Sequence, residues 1–228
     1  MTDRTPELSV LRSPAPVRAV ALVLHGGSEH SQEAVPPWWL AYLRMVPLAR
    51  AIHRAGARRG IEVRLLRNRL QGWNGPAEDP VADARWALER IRADHPDVPI
   101  ALIGHSMGGR VALRVADDPA VAGVCALAPW TPEGEPVEPV RGRSVLIVHG
   151  VLDRTTSPAE SYAFARRAEA GAARLARVEL ARESHAMLFR WGAWTRLSRA
   201  FTLDVLGPAH PVAGLWTRPL QQRLRIPL

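Results

Sequence analysis

The chain has 228 residues and 47% of them are hydrophobic, which is enough to bury one sizeable core and favours a single domain over residues 1–228. Its formal net charge is +8, but all 30 basic residues are arginines scattered along the chain, a pattern that we attribute to composition bias and that argues against nucleic-acid binding. The lone cysteine excludes an internal disulfide, and neither a signal-like segment nor a membrane-spanning stretch is evident, so we expect a cytoplasmic protein without a membrane partner.

Apolar runs and amphipathic segments alternate along the chain. In chain order we predict a strand at 17–25, a helix at 47–55, a strand at 61–66, a helix at 80–93, a strand at 98–104, a helix at 107–116, strands at 121–128 and 144–150, a helix at 158–170, a strand at 174–180 and a helix at 188–205. Because the runs are apolar on both faces, they predict an α/β architecture: a mostly parallel sheet of about six strands covered by helices on both sides.

A possible nucleophile follows the third of these strands, in the run Gly104-His105-Ser106-Met107-Gly108-Gly109. A serine hydroxyl needs a neighbouring base and an oxyanion pocket, and a tight strand-to-helix turn flanked by glycines can present it to both. The alternative interpretation is an ordinary turn in which Ser106 caps the helix. The pattern Gly-x-Ser-x-Gly is weak by itself, and the preceding strand strengthens it.

An acid and a base follow later strands in the expected order. Asp153 comes directly after the strand at 144–150, although it could also simply cap a turn. His185 follows the last predicted strand, which is where the base is expected when the chain order is Ser, Asp, His. His149 merely flanks the acid in this interpretation.

Two backbone N–H groups are expected to bind the oxyanion. Met107 follows the nucleophile, and Gly27 lies in the loop after the first predicted strand. The alternative for the run His25-Gly26-Gly27 is a flexible exit from the strand.

Together, the runs at 24–27, 104–109, 149–153 and 184–185 resemble the α/β-hydrolase superfamily over residues 17–206. The resemblance implies that Ser106, Asp153 and His185 form a catalytic triad. Only about fifteen residues separate the strands at 121–128 and 144–150, so a cap domain is not expected and the chain is most similar to small lidless serine esterases and dienelactone-hydrolase-like members. The first antiparallel strand pair of the family is expected to be reduced or missing in this chain.

Aromatic residues near these motifs, Trp38 and Trp130, are candidate substrate-binding residues, with core packing as the alternative. The sequence shows no metal-ligand cluster or phosphate loop, so no cofactor is expected. The extension at 207–228 could pack on the body, support a dimer or cover the site, and the oligomeric state stays open.

The sequence therefore predicts a serine hydrolase that cleaves a small-molecule carboxylic ester through an acyl-enzyme. Two alternatives remain: an acyltransferase or thioesterase with the same triad, and a non-catalytic hydrolase-like binding module.

Overall fold

A computed structural model describes residues 5–207 and 212–228. In this part of the chain the strands form one sheet of eight, in the order β1-β3-β2-β4-β5-β6-β7-β8. Every neighbouring pair is parallel except β1 and β3, which are antiparallel. The fold is thus an α/β fold with a mostly parallel sheet, as the sequence predicted.

The strands and helices have the following bounds. The strands are β1 (Glu7–Leu11), β2 (Ala19–Leu24), β3 (Ile61–Arg67), β4 (Ile100–His105), β5 (Val121–Leu127), β6 (Ser144–Gly150), β7 (Arg174–Leu180) and β8 (Ile226–Pro227). The α-helices are α1 (Leu40–Leu43), α2 (Met45–Gly56), α3 (Asp79–Asp94), α4 (Met107–Arg114), α5 (Pro158–Ala168), α6 (Trp191–Leu206), α7 (Ala213–Trp216) and α8 (Leu220–Arg223).

The sheet separates two hydrophobic cores. Alternate residues of β2 show this division: Ala21 and Val23 belong to the core beneath α2 and α6, whereas Leu22 belongs to the core beneath α3, α4 and α5. Because both faces of the central strands are covered, these strands are apolar at nearly every position. Cys125 is buried in the first core, as expected.

The strand count corrects an expectation from the sequence, which predicted about six strands and a first antiparallel strand pair that is reduced or missing. The antiparallel strand β1 is present at one edge, and β8 adds the last strand at the other edge. Edge strands such as β1 are largely exposed on at least one side and carry a weaker apolar signal than central strands. The two-residue β8 is too short to give a pattern.

The segment at 188–190 is not helical, although the sequence predicted a helix from residue 188. The backbone N–H of Arg190 donates to Oε2 of Glu183, and α6 begins only at Trp191. Between β5 and β6 the chain contains one 3₁₀ turn, Glu138–Val140, and no cap domain. Among the described residues, no helix is long and apolar enough to cross a membrane.

The described part of the carboxyl-terminal extension packs on the body of the domain. Trp216, Leu224 and Ile226 are buried, and β8 pairs with β7. Of the three roles left open by the sequence, packing on the body is therefore observed for 212–228.

Candidate active site

Ser106 occupies a sharp turn between β4 and α4. Its φ of 57° and ψ of −121° lie outside the regions that residues other than glycine ordinarily adopt, so the backbone is held there by its surroundings. Gly104 permits this turn because a Cβ at that position would overlap the carbonyl group of Gly108. The absence of a Cβ at Gly108 lets the start of α4 approach the carbonyl groups of Leu24 and His25. The turn lifts the Ser106 hydroxyl to the carboxyl edge of the sheet.

His185 links the serine to the acid. Its Nε2 lies 3.0 Å from Oγ of Ser106, and its Nδ1 lies 2.8 Å from Oδ2 of Asp153. The three residues come from the loops after β4, β6 and β7, whose carboxyl ends share one edge of the sheet. In this arrangement Nδ1–H donates to the carboxylate, which leaves Nε2 free to accept the serine proton.

The carboxylate of Asp153 is buried and accepts hydrogen bonds on both oxygens. Oδ1 accepts from the backbone N–H groups of Thr155 at 2.8 Å and Thr156 at 3.0 Å. Oδ2 lies 2.8 Å from His185 and 3.2 Å from Nε2 of His149. Burial by itself raises the pKa of the carboxyl, but the hydrogen bonds from the two histidines and the Thr156 amide outweigh it and hold this pKa well below its usual range. Asp153 is therefore ionised at neutral pH.

The loop after β2 is shaped by a buried histidine. The Nδ1–H of His25 donates to the carbonyl oxygen of Gly26 at 2.6 Å, and Nε2 accepts from the backbone N–H of Asn68 at 3.1 Å. Burial lowers the pKa of His25 to about 4, so the ring is neutral, as this pair of contacts requires. By fixing the Gly26 carbonyl, His25 also fixes the N–H of Gly27, because both belong to one planar peptide unit.

The two expected oxyanion donors meet beside the serine. Gly27 and Met107 both line the cavity that contains Ser106. Neither of their backbone N–H groups donates a hydrogen bond to another residue in the described part of the chain. Each is thus available to a ligand oxygen.

His105 connects the serine turn to the loop of the base. Its Nε2–H donates to the carbonyl oxygen of His185 at 3.0 Å, and the two rings lie 4.8 Å apart. Burial and the nearby His185 lower the pKa of His105 to about 3, so this ring is neutral too. The contact fixes the main chain that carries the base.

Glu183 holds the same loop from the other side. Its buried carboxylate accepts hydrogen bonds from the backbone N–H groups of Ser184 at 2.8 Å and Arg190 at 2.5 Å, and from Nε1 of Trp194 at 3.1 Å. These contacts join both ends of the loop to α6 and restrain the position of His185.

A cavity of about 220 Å³ opens beside the serine. Its lining residues are Gly27, Ser28, Glu29, Ser106, Met107, Trp130, Thr155 and Thr156. Trp130 therefore lies where the sequence analysis placed a substrate-binding residue, whereas Trp38 is 74% exposed and is not part of this lining. Among the described residues, four larger cavities of about 330 to 610 Å³ are lined by none of Ser106, Asp153 and His185.

The ring of Trp130 is held by a stacked arginine. The guanidinium of Arg110 lies 4.4 Å from the ring centre of Trp130 and 3.8 Å from that of Trp73. Glu135, which is buried, accepts from Nε of Arg110 at 2.7 Å. The two rings are nearly perpendicular, with centres 5.9 Å apart, and their cation–π contacts with Arg110 fix one wall of the cavity.

The sequence of the chain matches one known protein family. The model of the alpha/beta hydrolase family matches residues 21–227. The chain belongs to the alpha/beta hydrolase family. The eight-stranded sheet of the described residues, in which only β1 is antiparallel, is the fold of that family.

Solved structures share the fold of this alpha/beta hydrolase at low sequence identity. An alpha-beta serine hydrolase homologue from Coxiella burnetii is 19% identical, with a TM-score of 0.63 over 84% of this chain and 89% of that one. A propionate-bound thermophilic esterase from Thermogutta terrifontis is 18% identical, with a TM-score of 0.67 over 91% and 93% of the two chains. The esterase Pf2001 from Pyrococcus furiosus is 15% identical, with a TM-score of 0.63 over 84% and 82%. No curated protein sequence matches the chain.

Sequence reasoning missed the residues that support the site of this alpha/beta hydrolase. His149, Thr156 and Glu183 contact the acid or the loop of the base, and His105 contacts the base itself. His149 had a signal, since it lies four residues before Asp153 at the end of β6. Glu183 had none, because a lone glutamate in a loop is ordinarily solvated.

Proposed function

We propose that the chain is a serine ester hydrolase in which Ser106, His185 and Asp153 act as a triad. The observation that carries this proposal is the continuous pair of contacts through one imidazole, 3.0 Å to the serine oxygen and 2.8 Å to the aspartate oxygen. The strained backbone of Ser106 supports it further, because strain of this kind is retained where the surroundings impose a functional geometry.

In the first half of the reaction, Nε2 of His185 takes the proton of Ser106 as the serine oxygen attacks the ester carbonyl carbon. The carbonyl oxygen becomes an oxyanion, and the N–H groups of Gly27 and Met107 donate to it. Asp153, ionised and fixed by its own donors, stabilises the imidazolium. His185 then gives its proton to the leaving alcohol as the ester C–O bond breaks.

In the second half, water replaces the alcohol. His185 removes a proton from the water, the hydroxyl attacks the acyl-enzyme, and the serine oxygen leaves with the proton that His185 returns. The product is a carboxylic acid. The net reaction consumes one water and restores the enzyme.

The size of the cavity supports a small acyl group. A volume of about 220 Å³ lies below the range of about 300–1,000 Å³ that is common for drug-sized ligands. The esterases among the structural neighbours, including the propionate-bound one, agree with a short-chain carboxylic ester as substrate. The cytoplasmic location expected from the sequence stays a prediction.

The first experiment is labelling with a fluorophosphonate probe, followed by peptide mass spectrometry. We expect one adduct, on Ser106, that is lost in Ser106→Ala. Ser13→Ala is the matched control. The Ser13 hydroxyl donates to the carbonyl oxygen of Ala57, and Ser13 lies far from Ser106 in the sequence. The adduct on Ser106 should therefore persist in this variant. If the folded wild-type protein is not labelled, the catalytic proposal fails and the binding-module alternative replaces it.

A second measurement defines the acyl acceptor. The hydrolysis rates of p-nitrophenyl esters from acetyl to octanoyl are measured with and without an added alcohol or amine. The rate for each ester is also compared with the rate for a thioester of the same acyl group. Hydrolysis of esters to free acid in all conditions supports the proposal. Preferential acyl transfer to the added nucleophile, or preference for the thioester, would replace it with one of the alternatives that use the same triad.

A further inference from the structure

Large apolar side chains are exposed on the loops that follow β6 and β7. Leu188 is 70% exposed and Phe189 is 79% exposed, only three and four residues after the base His185. Val151 and Leu152 are exposed on the adjacent loop. The two loops are joined by backbone hydrogen bonds, including one of 2.9 Å from Leu152 N–H to the carbonyl of Glu183, so the four side chains lie on the surface formed by two adjacent loops.

Helix α1 extends this surface. Leu40 is 76% exposed and Leu43 is also exposed. Helix α1 leads into α2, which packs against α6, and α6 is the helix that Leu188 and Phe189 precede. Both groups of side chains therefore lie where neighbouring helices begin, at the carboxyl edge of the sheet. We call Leu40, Leu43, Val151, Leu152, Leu188 and Phe189 the apolar rim.

The rim carries positive charge without exposed negative charge on the same two loops. Arg154 and Arg182 are exposed and form no ion pair with another described residue. The acids of these loops, Asp153 and Glu183, are buried and are already engaged by hydrogen bonds within the site. Exposed carboxylates near the nucleophile, including that of Glu29 in the cavity lining, lie on the loop that runs from β2 to α1. In the sheet, this loop is on the other side of β4 from the loops after β6 and β7.

We propose that the apolar rim docks the face containing Ser106 onto an anionic phospholipid surface, from which the enzyme takes its ester substrates. Aliphatic and aromatic side chains that project from loops can enter the boundary between headgroups and acyl chains, and the adjacent arginines attract anionic headgroups. Large apolar side chains grouped in this way on adjacent loops favour an interaction site.

The charge of the rim argues for a lipid surface over a second copy of the chain. A two-fold dimer through this face brings the same patch against itself, so two surfaces that both carry unpaired arginines face each other. An anionic surface instead pairs with them. A peripheral contact of this kind needs no spanning helix, and the proposal differs here from the expectation from the sequence of no membrane partner.

The substrate part of this inference rests on the proposed esterase activity, whereas docking itself does not. Docking is therefore tested with catalytically inactive Ser106→Ala protein. The probes are unilamellar vesicles of phosphatidylcholine alone and of phosphatidylcholine with 30% phosphatidylglycerol, at low salt and at about 0.5 M salt. Cosedimentation gives the fraction bound, and failure of the chemistry in the labelling experiment leaves this measurement unaffected.

Two paired variants test the two components of the rim. We expect the Ser106→Ala protein to bind anionic vesicles at least tenfold more tightly than neutral ones, with the difference reduced by salt. Leu188→Ser with Phe189→Ser, and Arg154→Gln with Arg182→Gln, should each weaken binding about tenfold. Arg58→Gln with Arg59→Gln is the matched control, because it removes equal charge from exposed arginines at the amino end of β3, and it should retain most of the binding. Thermal unfolding checks that each variant is folded.

Three results would overturn the proposal. The first is no binding to anionic vesicles at low salt. The second is an equal loss of binding in the Arg58 and Arg59 control, which would mean that net charge alone is responsible. The third is a dimer in analytical ultracentrifugation that dissociates in the Leu188 and Phe189 variant, which would make a second copy of the chain the occupant of the rim.

Discussion

One oxygen of Asp153 is shared by two imidazoles: Oδ2 lies 2.8 Å from Nδ1 of His185 and 3.2 Å from Nε2 of His149. The same Nε2 lies 3.3 Å from the carbonyl oxygen of Thr156, which can only accept, so Nε2 of His149 carries a proton. Burial lowers the pKa of His149, which makes the ring neutral. His149 is thus a neutral donor that fixes the acid from inside the protein.

Replacing His149 tests whether it positions the acid. His149→Phe fills a similar volume but removes the donor, and we expect kcat to fall about tenfold with little change in KM, because the acid is oriented only by its remaining donors. His149→Gln supplies an amide N–H near the same place and should recover most of the lost kcat. Steady-state kinetics on one p-nitrophenyl ester provide the measurement. An equal loss in both variants at equal thermal stability would argue against a positioning role.

The buried neutral histidines predict a loss of stability in mild acid. The pKa of His25 is lowered to about 4 and that of His105 to about 3, against an ordinary value of 6.5. Between pH 6.5 and 4 the unfolded chain therefore binds protons that the folded chain does not, and the free energy of unfolding falls as the pH falls. Asp153, whose pKa is lowered, adds its own loss only below about pH 4.

Denaturant unfolding at pH 7.5, 6.5, 5.5 and 4.5 measures this slope. His105→Gln removes one of the buried rings and should make the slope shallower by about one proton, even if the protein is less stable throughout. His30→Gln is the control, since its imidazole is exposed before and after unfolding. If the free energy of unfolding of His105→Gln depends on pH as steeply as that of the wild type, the lowered pKa assigned to His105 is contradicted.

Gly27 is expected to be essential for binding the oxyanion, because its N–H is one of the two proposed donors. A Cβ at this position would overlap the side chain of Met107 and the carbonyl oxygen of Gln71, so Gly27→Ala must displace one side of the proposed oxyanion site. Loss of one such donor costs about 10²-fold in kcat, and we expect a decrease of that order. Gly192→Ala is the matched control, because no atom lies within 4 Å of an added Cβ there. Retention of full kcat in Gly27→Ala would exclude this loop as an oxyanion donor.

Trp130 is expected to limit acyl length. Trp130→Ala removes one wall of the cavity, and the ratio of kcat/KM for octanoyl to acetyl esters should rise about tenfold, since one methylene in an apolar pocket is worth about 1–3 kcal/mol. Trp38→Ala tests the other candidate tryptophan, and a smaller change is expected because its ring lies outside this cavity. A larger change in Trp38→Ala would show that the substrate lies along the other side of the loop after β2.

Much of the fold could be predicted from the sequence because its signals are local. The bounds of β6 and β7 agree with the predicted strands residue for residue, since each is a short apolar run between polar turns. The edge strands β1 and β8 were missed because partial exposure and short length weaken that pattern. The start of α6 was placed early because a tertiary hydrogen bond to Glu183, rather than local preference, ends the preceding loop.

The same division applies to the site. The sequence by itself determined the candidates Ser106, Asp153 and His185, because each follows an apolar strand and parallel strands bring their carboxyl ends to one edge. Only the tertiary structure decided that His149 contacts the same oxygen of Asp153 as His185 does, and that His105 reaches the main chain of His185, 80 residues away. It also decided that Leu188 and Phe189 remain exposed. These contacts depend on strand register and on side-chain packing across separate loops, and neither leaves a periodic signal in the chain.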